Sequence, residues 1–425
     1  MTPYTFAYGD TTVSFSLDER QVLGVLRGRQ VAPIDDIPRA LTEALDAPTE
    51  HVPLGRWIQP GERIAIIVSD MSRFWMRQDR VVPALIDYLG RHGVSDAQIR
   101  IVIANGTHLG GSPEELKRLV TPAIFDRIAV ENHDCLAEDL VTLGTTSHGT
   151  TVRINRTVAT ADRVIALGAA VHHVMAGYGG GRKSILPGVS SMETICQNHA
   201  LALAKDRFAT NPAVGNGVLQ GNPLHEDMVE AASMLPNLFV INLVMNADMK
   251  LAQITAGHPT KSWEIACRAI DSVFHVPVAE RADVVITSCG GYPKDMSLYQ
   301  GTKTIDNIEP CLKPGGTLIL AIEARDGGGP EEYFSWIGPL QDGSFEKKLR
   351  AHFTIPGYIF LLNCEQAQRY RILLLTSIPA KTLAPMGIEA YSDMDALLAA
   401  ANLPGKSIYV VPNGATVIPI VQEDL

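Results

Sequence analysis

The chain has 425 residues, too many for one ordinary hydrophobic core, so two domains are expected. Apolar residues make up 46% and charged residues 19%, a globular composition. The formal charge of −10 argues against a nucleic-acid or anionic-membrane partner, because either needs a basic face. The six cysteines are scattered with no C-x-x-C pair, so neither a thiolate zinc site nor a disulfide framework is expected.

The first twenty residues, MTPYTFAYGDTTVSFSLDER, alternate apolar and polar positions as a strand does. They lack the basic region and apolar run of a signal peptide. No apolar run reaches the length of a membrane span, and the expected location is the cytoplasm. Short apolar runs then recur along the chain. They cover Arg63 to Asp70, Ile99 to His108, Asp162 to His173 and Leu238 to Asn246. Later runs cover Ala282 to Pro293, Gly315 to Ala324, Tyr370 to Pro379 and Ser407 to Ala415. Amphipathic stretches such as VVPALIDYLGRHG and SPEELKRLV lie between them. Runs without alternation are strands buried on both faces, and alternation of strands with helices predicts an α/β fold with Rossmann-like parallel sheets. A helical stretch, KSWEIACRAIDSVF, ends near Phe274 and a new strand–helix series follows. The expected division is a first domain over 1–275, a second over 276–412, and a tail over 413–425 that can return to the first domain.

Ligands of parallel α/β sheets bind beyond the carboxyl ends of the strands, so the residues after each strand carry the functional reading. SDMSR supplies Asp70, Ser72 and Arg73. NGTH supplies Gly106, Thr107 and His108. HHVMAGYGGGRKSILPG supplies His172, His173, Lys183, Pro187 and Gly188. CGGYPKDMSLYQGTK supplies Tyr299, Gln300 and Lys303. Most of the twelve histidines read as surface or core residues, but His108 and His173 follow strands and His199 lies in SMETICQNHA. Two histidines can exchange roles as general base and acid, and a histidine can also hold nickel, zinc or copper. GYGGGRK has neither the Walker A nor the GxGxxG spacing. The embedded Lys183 can hold an anion or bond covalently to a cofactor carbonyl. Arg73, Gln300 and Lys303 suit a substrate carboxylate.

Taken together, these motifs resemble the nickel-dependent lactate racemase family. The resemblance covers nearly the whole chain and runs in family order. It comprises D-x-[ST]-R (Asp70, Ser72, Arg73), G-T-H (Gly106, Thr107, His108), H-x(9)-K with its Pro-Gly exit (His173, Lys183, Pro187, Gly188), N-H (Asn198, His199) and Y-Q-x-x-K (Tyr299, Gln300, Lys303). It implies a two-domain racemase or epimerase of small 2-hydroxy acids, lactate-like, malate or longer, with its site in the interdomain cleft. The implied cofactor is the nickel pincer nucleotide, a pyridinium-3,5-bisthiocarboxylic acid mononucleotide made by separate synthesis proteins. Lys183 would be its covalent tether and His199 a nickel ligand. Asp70, Ser72, Arg73, Gly106, Thr107, Pro187 and Gly188 would surround it. His108 and His173 would be the acid/base pair, and Arg73, Tyr299, Gln300 and Lys303 would hold the substrate.

The sequence departs from the family at several points. Met71 stands where many relatives have histidine, and FTIPGYIFLLNCEQAQ lacks an expected glycine–histidine pair. The aromatic lid has only Trp336 and Tyr358 as candidates. Arg182 and Lys294 beside the motifs suggest a second substrate carboxylate. Two other readings stand beside the racemase. A non-catalytic carrier of nickel or cofactor would not need both His108 and His173. A nucleotide-dependent oxidoreductase would need a GxGxxG fingerprint, which follows no strand here.

Overall fold

The structure, a computed structural model, describes residues 1–422. The chain forms two compact units. One comprises residues 30–202 and 213–273, and the other comprises 1–29, 203–212 and the chain from Phe274 onward.

The first unit is built on a six-stranded sheet. Its strand order is Leu251–Gly257, Leu238–Met245, Arg163–Ala169, Ile64–Ser69, Ile99–Ala104, Ala129–Asn132. All neighbours are parallel except Leu251–Gly257, which returns antiparallel beside Leu238–Met245. Ile64–Ser69 is buried at its first five positions and Leu238–Met245 at all eight, as strands covered on both faces must be. Helices Ile37–Asp46 and Val82–Arg91 turn Leu41, Leu45, Leu85 and Leu89 into one core with Ile64, Ile66 and Ile101. Each such fully buried leucine contributes about 2 kcal/mol. Helix Pro113–Val120 starts where its sequence says it should, at a capping box of Ser112 and Glu115 with proline in the first turn. The strand ends at Ser69, Ala104 and Ala169 all face the same way, because their strands are parallel. That places the motif loops at one edge of this unit.

The second unit carries another six-stranded sheet, wholly parallel. Its order is Glu389–Tyr391, Arg371–Leu375, Leu312–Ala321, Ala282–Ser288, Ile408–Val411, Val22–Val25. An antiparallel hairpin, Thr2–Tyr8 with Thr11–Leu17, contributes Phe6, Phe15 and Leu17 to its core. Two expectations are corrected here. Residues 1–29 do not join the first unit, because Val22–Val25 pairs with Ile408–Val411. The tail does not return to the first unit either, because Ile418–Val421 pairs with His275–Val278 within the second; residues 423–425 lie outside the described residues. The alternating pattern at the N-terminus shows that strands form, but not which unit's core their hairpin joins.

Candidate active site

Asp70 ends the Ile64–Ser69 strand and is buried. Its Oδ2 accepts from His108 Nδ1 at 2.6 Å and its Oδ1 accepts from Ser72 Oγ at 2.6 Å. Burial pushes the Asp70 carboxyl up, but the His108 and Ser72 hydrogen bonds and the charges of His108 and Arg73 outweigh it and hold the group below its ordinary value. Arg73 Nη1 donates to Ser72 Oγ at 3.2 Å, so Ser72 links the cation to the carboxylate. A residue the sequence did not flag, Gln78, is fully buried and brackets the strand end. Its amide donates to Ser69 O at 2.7 Å and its carbonyl accepts from Ser69 N at 3.2 Å. His108 belongs to the turn after the neighbouring strand, Ile99–Ala104. Its side chain is half exposed. Gly106 takes a positive φ of 55° in that turn, and its N–H donates to Gly188 O at 3.0 Å. The N-G-T-H turn is thereby tied to the exit of the glycine loop.

The glycine loop opens with a small hairpin, His172–His173 against Gly177–Tyr178. The two adjacent histidines point to different partners. His172 Nε2 meets Asp271 Oδ1 at 2.9 Å, and Tyr178 Oη donates to the same carboxylate at 2.7 Å. His173 Nδ1 accepts from two backbone amides, Met175 N at 3.1 Å and Ala176 N at 3.2 Å, while its Nε2 lies 3.0 Å from Lys183 Nζ. Lys183 reaches that position from a short turn, Gly181–Ser184. At Gly181 the φ is +53°, and a Cβ there would lie 2.7 Å from the Trp263 ring. Glycine therefore lets the backbone pass directly over Trp263.

Arg182 turns inward. Its guanidinium donates to Ala176 O at 2.6 Å, Tyr178 O at 2.8 Å and His225 Nδ1 at 3.1 Å, and stacks 3.9 Å from the Trp263 ring. Burial pushes Arg182 down to about 9, still cationic at neutral pH. The sequence-based suggestion that Arg182 faces a substrate carboxylate is corrected: the side chain is committed to the underside of the loop. Its partner in that suggestion, Lys294, is partly buried on the second unit, and burial lowers its pKa.

His199 lies in the last turn of helix Met192–Ala200, which Ser191 caps by accepting from Thr194 N. The ring is buried, and its Nδ1 bonds to Ile195 O at 3.0 Å, leaving Nε2 as the lone-pair nitrogen. Burial pushes its pKa down to about 3, and the Lys183 ammonium, when charged, adds to the push. A neutral imidazole oriented by a backbone carbonyl is the form that ligates a metal. Its neighbour Asn198 donates to Asp227 Oδ2 at 2.7 Å and to Leu224 O at 3.1 Å. Asp227 is fully buried, accepts also from the Thr146 and Thr150 hydroxyls, and was missed in the sequence because an acid in an amphipathic helix reads as a solvated face.

On the second unit, Tyr299 and Gln300 lie on the Leu298–Gly301 turn of helix and Lys303 opens Lys303–Ile308. Lys303 Nζ donates to Gln300 Oε1 at 3.0 Å and lies 4.4 Å from the centre of the Tyr299 ring. The three motif residues thus form one cluster. The aromatic candidates for a lid do not: Trp336 and Tyr358 are both buried, Trp336 against Phe345 and bonded to Glu332, and Tyr358 against Phe353.

Residues 8–211 match the lactate racemase N-terminal domain, and residues 278–419 match the lactate racemase C-terminal domain. A lactate racemase of Thermoanaerobacterium thermosaccharolyticum is 33% identical over 347 residues, 79% of this chain and 78% of the relative. One from Lactiplantibacillus plantarum is 31% identical over 338 residues, again 79% and 78%. The chain belongs to the lactate racemase family.

The lactate racemase apoprotein of T. thermosaccharolyticum has the same architecture. Its structure superposes with a TM-score of 0.88 at 29% identity, covering 99% of this chain and 100% of that one. A Thermotoga maritima protein at 16% identity shares the fold, with a TM-score of 0.63 over 91% of this chain and 97% of its own. As a member of the lactate racemase family the chain is an isomerase.

The nickel pincer nucleotide that the sequence resemblance implies can be tested against these residues. A Cβ on Gly180 would lie 2.8 Å from Ala169 O, and one on Gly188 would lie 2.2 Å from Ser184 O, so glycine at these positions lets the loop fold tightly on its own backbone. A buried neutral imidazole at His199 and the Lys183 amine border it. Glycine backbone, an amine and a borderline-soft nitrogen donor fit a planar, sulfur-armed nickel nucleotide.

Proposed function

We propose that this lactate racemase family member racemises lactate or a related small 2-hydroxy acid, using a nickel pincer nucleotide tethered to Lys183 and ligated by His199. The observation that carries this reading is the arrangement of His108 on Asp70 and His173 on Lys183: two histidines with different fixed partners flank one glycine-lined loop. When bound, the nucleotide supplies a reversible hydride sink for the substrate carbon.

The chain's residues handle the proton and the carboxylate. His108 Nε2 takes the hydroxyl proton on one face, and the Asp70 carboxylate balances the imidazolium that results. His173 handles the hydroxyl proton on the opposite face. For the substrate carboxylate, the first unit offers the Arg73 guanidinium, and the second offers Tyr299, the Gln300 carboxamide and the Lys303 ammonium. Ser72 and the Gly106–Thr107 backbone, with Pro187 and Gly188, border the cofactor. Among the described residues no helix is long and apolar enough to cross a membrane, and all six cysteines are free. Unpaired thiols suit a reducing compartment, so we place the enzyme in the cytoplasm. The expected partners are the cofactor-synthesis proteins and the small acid substrate.

The test is expression alongside cofactor-synthesis proteins, followed by nickel analysis and chiral chromatography of D- and L-lactate, malate and longer 2-hydroxy acids. About one nickel per chain, lost in His199→Ala, with loss of optical purity in one of these acids, is the expected result. A folded, co-expressed protein with neither nickel nor racemisation overturns the reading.

A further inference from the structure

We infer that the two histidines are held in opposite tautomers, so that the free enzyme presents a lone pair at His108 Nε2 and an N–H at His173 Nε2. The roles of the two rings rest on the function proposed above. The tautomers themselves rest only on hydrogen-bond geometry.

His108 comes first. Asp70 is ionised at neutral pH and already accepts from Ser72. A carboxylate offers no hydrogen, so the 2.6 Å contact requires the hydrogen on His108 Nδ1. The neutral ring then carries its lone pair on Nε2. His173 is the reverse. Two backbone N–H groups, from Met175 and Ala176, converge on its Nδ1. A nitrogen that accepts two N–H donors carries no hydrogen, so the neutral ring has its hydrogen on Nε2. A half-turn of the ring would put carbon against both amides and lose the Lys183 contact. Lys183 Nζ lies 3.0 Å from Nε2.

The asymmetry is written into the sequence. His173 opens a hairpin whose turn, Val174 to Ala176, is closed by Gly177 at a φ of +71°. This turn aims consecutive amides back at the ring. No such turn faces His108; its ring meets a carboxylate from the neighbouring strand end. A substrate whose hydroxyl reaches His108 meets a ready base: the O–H bond breaks, an N–H bond forms at Nε2, and Asp70 balances the charge. A hydroxyl reaching His173 meets a donor. Proton uptake at that nitrogen requires Nδ1 to gain a hydrogen and shed both amides, so the ring or the hairpin turn must move first.

The experiment is long-range nitrogen–hydrogen correlation NMR on the full-length, 15N-histidine-labelled chain at about pH 8, above the ordinary histidine value of about 6.5. H108Q and H173Q, each losing one ring pattern, make the assignments. The expected patterns are protonated Nδ1 with lone-pair Nε2 for His108, and the reverse for His173. D70N should shift the His108 pattern alone. The same tautomer in both rings, or a His173 pattern averaged between the two, overturns the inference. The patterns as expected in a protein that racemises no 2-hydroxy acid would uphold the tautomers and remove the proposed function instead, so the two failures are distinguishable.

Discussion

Asp70 and His108 follow two neighbouring parallel strands and meet through a 2.6 Å hydrogen bond between Oδ2 and Nδ1. The pairing follows from the sheet: Ser69 is in register with Ala104, so the residues that leave the two strands leave them together. Asp70→Asn should keep the shape and lose the charge that balances an imidazolium. Steady-state kinetics should show kcat lower by about 10²-fold, within the range of general acid–base effects, with KM changed little. Loss confined to KM would mean that Asp70 binds substrate instead. The pH sign is also fixed. Asp70 is held below its ordinary value, so its contribution to stability is present above about 3.9 and is lost as pH falls through the lower folded value. The Asp70→Asn variant should lack that acid limb in urea unfolding.

Arg182 is held by two carbonyls, His225 and the face of Trp263. Arg182→Ala would take this donor from Tyr178 O and His225 Nδ1, while Ala176 O keeps the Tyr178 N–H at 2.8 Å. At about 1–3 kcal/mol for each unsatisfied group, the expected loss is roughly 2–5 kcal/mol in urea unfolding, with Arg182→Lys between it and the native chain. Because the side chain faces inward, any fall in activity should be the same for mono- and dicarboxylic 2-hydroxy acids. A KM increase for the diacid alone would return Arg182 to the substrate.

Much of this was legible in the sequence, for physical reasons. Runs such as IAIIVS read as strands because burial on both faces leaves no polar positions. Within the first unit, the residues after its strands stand out because parallel strands deliver them to one edge. What could not be read depends on partners far along the chain. Val22–Val25 pairs with a strand near residue 410, and nothing in VLGV names that partner. Arg182 and Lys183 look alike as neighbours. Only the positive φ values at Gly180 and Gly181 send one under the loop and the other to His173. Asp227 and Asp271 sit in helices where acids are ordinarily solvated, and their buried partners, Asn198 and Tyr178, appear only in three dimensions.

His199 and His225 give the cofactor-free chain an acid sensitivity with a defined window. Burial is the first cause in both, helped by Lys183 for one and Arg182 for the other, and both are pushed down to about 3. An unfolded histidine titrates near 6.5, so between about 6.5 and 3 the unfolded chain binds more protons than the folded one. Stability should therefore fall steadily as pH drops through that window, and these two groups should add nothing further below it. His225→Gln should make the slope of unfolding free energy against pH shallower around pH 5. An unchanged slope would mean that the His225 ring is protonated in the folded chain.

Gly188 tests whether the loop's backbone places the Lys183 amine. A Cβ there would lie 2.2 Å from Ser184 O and 2.9 Å from Lys183 O, both backbone atoms that no side-chain rotation can move. The same residue donates its N–H to Lys183 O and accepts from Gly106 N, each at 3.0 Å. Gly188→Ala must open this turn, and we expect about 2–4 kcal/mol of destabilisation, typical of a substitution that forces a buried backbone apart. Gly90→Ala is the matched control. Gly90 lies within helix Val82–Arg91 with nothing near its missing Cβ, so alanine there should be neutral or stabilise by up to about 1 kcal/mol. Intact-mass spectrometry after expression with the cofactor-synthesis proteins gives the second readout. The mass added at Lys183 should be present in Gly90→Ala and diminished in Gly188→Ala. Equal loading of the two variants would show that the turn's backbone does not set the position of the amine.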